Sequence, residues 1–548
     1  MRRLADALGG VARHPVPALA VLCAIQALAL LRFALTAPAH NGWLFYQGGD
    51  QIWYTTGSSL LAHLQLPPTF VGYGWSMLIA PIIGLVGPDF VSGLPAIIIL
   101  NAAILAPIGT LCVYGIGSRI GGRLAGLWCS LLWVAGPYVS LLVFTSRYHD
   151  KWVDQALPQS LGLTAMSDFP SMIALLAATY FVLRSLGALT PRERLLAGVA
   201  AGVLAGLAIG IKPSNSLYLA GPALAYIVAR RPREAAAFGV ALLPAVVTLA
   251  LWKQRGLGNL PLFALDESRE AVGAAGTVTA VQFNKYVNID WGVWKQNMSG
   301  LREFTVGARV IQWAPIAGAI GLWRLSRPAA ALCAGWLAAY LIVKGTSPLA
   351  TIESGSFWRF VMPAFPAYLL LVAAIPLLVP TLLRRLRAVL EPLPVRAING
   401  RVLVAAAAFL TVIPFLWIAV ASPISLPTRA VLDNGILTPV DGSKVDVAIT
   451  AAGPARRISW NARDWPATVF YRVYRTARAG SDVVCLPPSG ATQCSLSMEL
   501  LGTTRRTTWI DGSPPPGVTY RVGVAANWID DPAGGDVVVL SPGVKDAP

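Results

Sequence analysis

The sequence predicts a polytopic α-helical membrane protein that carries a C-terminal β-sandwich, and three observations lead there. Of 548 residues, 55% are hydrophobic and only 13% charged, against roughly 25% charged in a soluble domain. Apolar runs of roughly 17 to 25 residues, the length that crosses the hydrocarbon of a bilayer, recur between Pro15 and Ala421. From about Pro423 the composition turns to Thr, Val, Asp, Pro and Gly with period-two runs of strand type. Residues 1–425 are therefore expected to form a membrane domain and residues 426–548 a separate β domain.

The first span runs from about Pro15 to Leu35, behind Arg2, Arg3 and Arg13. No small-residue cleavage site is convincing, so it reads as an uncleaved span and not as a signal peptide. A polar loop around Asp50 follows, then an interfacial helix from Thr55 to His63, with Leu60, Leu61 and Leu64 on one side. Gly72 to Val86 is apolar but short and broken by Pro81, and charge decides how it counts. If it does not span, the basic turns Arg119–Arg123, Arg184–Arg194, Arg230–Arg233, Arg324–Arg327 and Arg384–Arg401 all fall on one side. The remaining spans lie near Phe90–Gly117, Leu124–Phe144, Phe169–Leu186, Leu195–Ile211, Leu217–Ala229, Ala235–Trp252, Val306–Trp323, Ala329–Val343, Phe360–Leu383 and Val402–Ala421. That makes about eleven spans, with the N-terminus in the cytoplasm and the C-terminal domain outside a plasma (inner) membrane. The net charge of +17 resides in the inward turns, so membrane lipid and no nucleic acid is the expected partner.

The outward loops hold the other ionisable groups: Asp50, Arg147 to Asp168, Lys212 to Asn215, Lys253 to Phe304, and Glu353 to Arg359. Such groups are expensive at a membrane, and their gathering on one face argues for a site there. In the tail, strands are expected at Val445–Thr450, Arg457–Trp460, Val469–Arg475, Thr507–Ile510, Thr519–Val524 and Val537–Leu540. Cys23, Cys112, Cys129 and Cys333 lie in apolar runs and read as small core residues. Cys485 and Cys494 sit close together in the polar tail, where a disulfide fits an oxidising compartment.

The tail resembles a fibronectin type III domain. The likeness rests on Trp460 in an early strand, on Tyr471-Arg472-Val473-Tyr474-Arg475, and on Thr507-Thr508-Trp509-Ile510-Asp511 followed by Pro516-Gly517-Val518-Thr519-Tyr520-Arg521-Val522. In that resemblance Tyr520 is the tyrosine-corner residue.

The membrane part carries a second set of motifs. Gly49-Asp50-Gln51-Ile52-Trp53-Tyr54 follows the first span. Gly72-Tyr73-Gly74-Trp75-Ser76 leads to Pro81 and then to Gly87-Pro88-Asp89-Phe90. Ser167-Asp168-Phe169-Pro170 opens a span, Gly206-Leu207-Ala208-Ile209-Gly210-Ile211-Lys212-Pro213 closes one, and Trp358-Arg359-Phe360-Val361-Met362-Pro363-Ala364-Phe365-Pro366 lies downstream. In order and spacing these resemble the GT-C superfamily of polyprenyl-phosphate-sugar-dependent glycosyltransferases, above all the protein mannosyltransferase and aminoarabinose transferase branch. That family usually carries two adjacent acids in the first loop. Here Gln51 takes the second place, which leaves one carboxylate and leaves the branch and acceptor open.

The resemblance implies an inverting transferase that moves a hexose or pentose from a polyprenyl-phosphate sugar to an extracytoplasmic glycan, lipid or protein acceptor. A carboxylate within reach of the acceptor hydroxyl takes its proton, and Asp50 is the family match. Charge builds on the departing phosphate, and Arg359 and Lys212 are the cations placed to meet it. Each residue also has a plainer reading. Asp50 and Asp168 suit helix caps, and Arg359 and Lys212 suit anchoring at the interface. Asp168 supports the site or shares a divalent cation, Mg or Mn, with Asp50 and phosphate. Tyr54, Arg147, His149 and Glu353 are the expected substrate contacts. The competing class is a transporter or flippase of lipid-linked sugars, which should show internal repeats and charged helices near the midplane. The sequence shows no repeat.

Overall fold

In the computed structural model of the chain the described residues are 14–41, 48–67, 71–86, 90–188, 190–257, 270–273, 276–279, 289–306, 308–346, 351–352, 356–381, 397–423, 430–433, 436–439, 445–461, 470–476, 483–486, 493–496, 499–526 and 536–546. They form a helical membrane part and a set of mainly antiparallel sheets. The helices are α1 (Pro15–Asn41), α2 (Gly48–Ala62), α3 (Tyr73–Val86), α4 (Phe90–Leu100), α5 (Ala106–Val143), α6 (Ser146–Gln155) and α7 (Leu157–Ser160). They continue as α8 (Asp168–Gly187), α9 (Pro191–Ile211), α10 (Ala220–Ala229), α11 (Pro232–Leu257), α12 (Trp291–Phe304), α13 (Ala308–Leu325), α14 (Arg327–Val343), α15 (Ser356–Val361), α16 (Phe365–Ala373) and α17 (Gly400–Val420).

Among the described residues seven helical stretches are long and apolar enough to cross a membrane, where about eleven spans were expected. One stretch, Gly93–Val143, takes in two expected spans. Its helix breaks at Gly121 and Gly122, and Gly122 has φ +80°, a conformation that costs glycine nothing. The expected span Leu217–Ala229 is a 3-10 turn over Pro213–Leu219 and the ten-residue α10. Helix starts follow local chemistry. Thr190 accepts a hydrogen bond from Glu193 N at 3.2 Å ahead of Pro191, and Asn399 accepts from Arg401 N at 3.0 Å.

The antiparallel pair α8 and α9 forms the centre, and α9 packs α11 on its other side. Of the long apolar stretches α8 is the most enclosed and α17 the least. Val402, Val404, Phe409 and Leu416 of α17 point outward, as lipid-facing side chains do. Two of the glycine motifs meet backbone to backbone. A Cβ on Gly72 would lie 2.2 Å from Gly210 O, and one on Gly74 would lie 2.7 Å from Ile211 N. Only glycine permits that approach, which seats the start of α3 against the end of α9.

The strands are β1 (Gln65–Leu66), β2 (Glu270–Gly273), β3 (Gly276–Thr279), β4 (Ser422–Pro423), β5 (Ala430–Asp433), β6 (Ile436–Pro439), β7 (Val447–Ala452) and β8 (Ala455–Trp460). The rest are β9 (Phe470–Arg475), β10 (Val483–Leu486), β11 (Gln493–Leu496), β12 (Glu499–Thr504), β13 (Thr508–Asp511), β14 (Thr519–Ala526), β15 (Asp536–Leu540) and β16 (Val544–Lys545). One antiparallel sheet has the order β13-β8-β7, and another has β12-β9-β14-β15 with β16 on β14. Their buried faces meet through Trp460 and Tyr471, whose rings are 5.3 Å apart, with Ile458, Val473, Tyr520 and Val522 in the core. Tyr520 donates to Asp511 Oδ2 at 2.7 Å, and Arg475 donates to the same oxygen at 2.7 Å. The tyrosine thus meets a side-chain carboxylate where a tyrosine corner uses backbone. A third sheet has the order β10-β11-β5-β6, and its register sets Cys485 directly across from Cys494, whose thiols lie outside the described residues.

The end of α17 is tied to the membrane part near α2. Trp417 Nε1 donates to Leu61 O at 3.0 Å, and Ser422 N donates to Leu64 O at 2.8 Å, where β1 and β4 pair in parallel. Arg255 donates to Ile418 O at 2.6 Å and also to Ala419 O.

Candidate active site

Asp168 stands in the first turn of α8, where a negative charge complements the helix dipole. Lys212 caps the far end of α9, halted by Pro213, and its amide takes Ala208 O at 2.9 Å. Because α8 and α9 are antiparallel, these ends coincide, and Lys212 Nζ donates to Asp168 Oδ1. Asp168 is fully buried, and its second oxygen, Oδ2, has no hydrogen-bond partner. Arg184 and Arg194, at the other ends of the same helices, lie away from this pair, so the site is opposite the basic turns.

A second ammonium is close by. Lys344 follows α14 and is buried, with Nζ 5.5 Å from the centre of the Phe360 ring. Burial, reinforced by the nearby Lys212 charge, pushes its pKa down to about 8. Phe360 and the half-buried Arg359 belong to α15, so that helix comes to the same end of the bundle. Tyr340 closes the arrangement from α14. Its hydroxyl donates to Asn215 Oδ1 at 2.7 Å, and Asn215 in turn donates to Ala208 O at 2.8 Å.

Asp50 was expected in a loop ahead of a helix starting at Thr55, and the structure corrects this. It lies in the first turn of α2, which starts at Gly48, and an acid there is favoured by the helix dipole. Helical spacing puts Asp50 one turn before Tyr54 on the same face. Tyr54 is buried, and its hydroxyl lies 2.6 Å from Ser167 Oγ, the neighbour of Asp168. Burial raises the Tyr54 pKa; the Ser167 hydrogen bond opposes the shift and the Asp168 carboxylate adds to it. Gln51 is fully buried and accepts from Ala165 N at 2.7 Å, while Trp75 Nε1 donates to Ala165 O at 2.7 Å. Gln51, next to Asp50 in sequence, therefore holds the segment leading into Asp168.

Asp168, Lys212 and Tyr54 are thus brought together, and Arg359 is on a helix at the same end. The side chains of Asp50 and Arg147, and the whole of Glu353, lie outside the described residues. His149 sits on α6 with Nε2 3.2 Å from Leu141 O, a backbone contact that engages one of its two ring nitrogens. Near it Phe144, Trp152 and Trp358 pack at centroid distances of 4.5 to 5.3 Å, and Trp358 Nε1 donates to Tyr148 Oη at 3.1 Å. Lys344, Gln51 and Asn215 were not anticipated. An ionisable group at the end of an apolar run is the signal that found Lys212, and it applies equally to Lys344.

A divalent cation on Asp168 would compete with the Lys212 ammonium, which already neutralises the carboxylate and repels a second positive charge. Among the described residues no group of three His, Cys, Asp or Glu comes together. This donor set does not fit a metal at Asp168.

No protein-family description and no curated protein sequence matches the chain. Two solved structures resemble its fold. The crystal structure of ArnT from Cupriavidus metallidurans bound to undecaprenyl phosphate is 15% identical at a TM-score of 0.38, over 72% of this chain and 71% of that one. The apo crystal structure of the Archaeoglobus fulgidus oligosaccharyltransferase is also 15% identical at a TM-score of 0.38, over 75% of this chain and 57% of that one. Likenesses this distant assign no chemistry.

Proposed function

We propose that the chain is an inverting membrane glycosyltransferase. It moves a sugar from a polyprenyl-phosphate donor to a hydroxyl of an extracytoplasmic glycan, lipid or protein acceptor. The observation that carries this reading is the buried Asp168–Lys212 pair at the end of the bundle opposite the basic turns, beside Lys344 and the helix of Arg359. Ammonium and guanidinium groups held at that depth suit the phosphate of a lipid whose chain remains in the bilayer.

In the reaction the acceptor oxygen attacks the anomeric carbon from the face opposite the phosphate, and the bond from that carbon to the phosphate oxygen breaks. Asp50 takes the hydroxyl proton. The phosphodiester leaves as a phosphomonoester with one more negative charge, which Lys212 and Arg359 meet. Asp168 holds Lys212 in place, and Tyr54 docks the Asp50 helix onto Ser167. The sheets after α17 stand as a fibronectin type III-like domain on the acceptor side, stapled by a Cys485–Cys494 disulfide.

Purified protein is incubated with a panel of polyprenyl-phosphate sugars, and release of polyprenyl phosphate is followed. Asp50→Asn is expected to lower transfer by about 10²- to 10⁴-fold with folding intact. A wild-type rate in that variant rejects Asp50 as the base, and no release from any donor favours transport.

A further inference from the structure

The stretch between α6 and α8, which includes the short α7, is buried from Ala156 through Asp168, which is unusual for a connection between long helices. Its shape is fixed from several sides. Asn101, in a π-helical turn over Asn101–Leu105, donates to Gly162 O at 2.8 Å and to Thr164 O at 3.3 Å. Gln51 and Trp75 hold Ala165. Gly162 has φ +73° and lies on the Phe169 ring, which folds the turn after Gln159 onto the start of α8 beside Asp168.

Inside this fixed segment polar atoms are left without partners. Gln159 is fully buried, and neither its Nε2 nor its Oε1 has a hydrogen-bond partner. Asp168 Oδ2 and Asn101 Oδ1 are likewise buried without a hydrogen-bond partner. An orphaned buried amide or carboxylate oxygen loses its hydration with nothing in return, so such groups are rare in native proteins and each calls for a partner or a function. The set has a recognisable chemistry. Gln159 offers two N–H donors and a carbonyl acceptor, and Asp168 Oδ2 and Asn101 Oδ1 are acceptors. That pattern complements a ring of neutral hydroxyl groups, each of which donates and accepts. It does not complement a phosphate, which offers acceptors only.

We infer that the buried stretch between α6 and α8 is a subsite for the sugar of the donor, in which the Gln159 amide and Asp168 Oδ2 hydrogen-bond ring hydroxyls. Gln159 is a specificity-determining residue. This rests on the glycosyltransferase reading, with the phosphate on Lys212 one hydrogen bond from the same carboxylate.

The test is lipid binding, measured by calorimetry on full-length protein in detergent. The probes are polyprenyl phosphate and the same lipid bearing mannose or arabinose, and Gln159→Leu is compared with wild type. The expected result is a tenfold or greater loss of affinity for at least one sugar-bearing lipid and less than a twofold change for polyprenyl phosphate. If Gln159→Leu binds all three lipids as wild type does, the amide holds buried water alone and the subsite is overturned. Equal loss for all three overturns it too, while leaving the phosphate site standing. Wild-type protein that binds none of them overturns the subsite and the transferase reading together. Gln159→Met, nearly the same length, gives the same comparison should the leucine variant fail to insert.

Discussion

Lys212 and Asp168, 44 residues apart, form a buried ion pair across the coincident ends of two antiparallel helices, and one carboxylate oxygen stays open. Removing one partner of such a pair strands a charge, whereas replacing both removes the problem. Lys212→Met is therefore expected to destabilise the protein by about 3–5 kcal/mol, and Lys212→Met with Asp168→Asn to recover most of that. Thermal unfolding in detergent checks the stability. Transfer should be lost in both, because the double variant restores packing and not the cation.

Lys344 gives a pH dependence with a definite sign. Its pKa is about 8 in the folded protein against an ordinary 10.5, so between those values the unfolded chain binds more protons than the folded one. Stability from this group is lowest below pH 8 and rises from there toward pH 10.5. Lys344→Met should flatten the rise in melting temperature across that window. Affinity for polyprenyl phosphate should run the other way, falling as pH passes 8 and the ammonium loses its proton.

Gln51→Ala strands the buried Ala165 N–H, which Gln51 Oε1 now accepts at 2.7 Å. The expected loss is about 1–3 kcal/mol of stability. Faster amide exchange at Ala165 in the folded protein would locate that loss. Exchange unchanged there would mean the Ala165 amide finds another acceptor.

In the β domain, Tyr520→Phe removes the hydroxyl that meets Asp511 Oδ2 and leaves Arg475 in place. A hydrogen bond to a charged acceptor contributes about 1.5–3 kcal/mol. Hydrogen exchange along β14 of the full-length protein should accelerate accordingly, with transfer by the membrane part changed far less.

Much of this fold could be read from hydrophobic period alone. The start of α9 carries its own capping residue, Thr190, and six of the strands in the tail fall within a few residues of the expected runs. Strand β12 did not show, because Gly502 interrupts its apolar pattern. That glycine is there for packing: a Cβ would lie 2.4 Å from the Trp509 ring. At the site, Asp168 and Lys212 were visible as ionisable groups at span ends. Their contact was not, since it depends on two helices packing in register. Gln159 and Gln51 look alike in sequence, and only burial separates the amide that is satisfied from the one that is not.

The tie between Trp417 and Leu61, with Ser422 on Leu64, lies on the membrane side of the β domain. The helix bearing Asp50 and Tyr54 is thus braced by the end of α17 and also by the β domain, whose β6 and β15 pack against it. A tail exchanged after Pro423 keeps the clasps from Trp417 to Ser422 but loses the packing of β6 and β15 on α2, and a cut before Trp417 loses both.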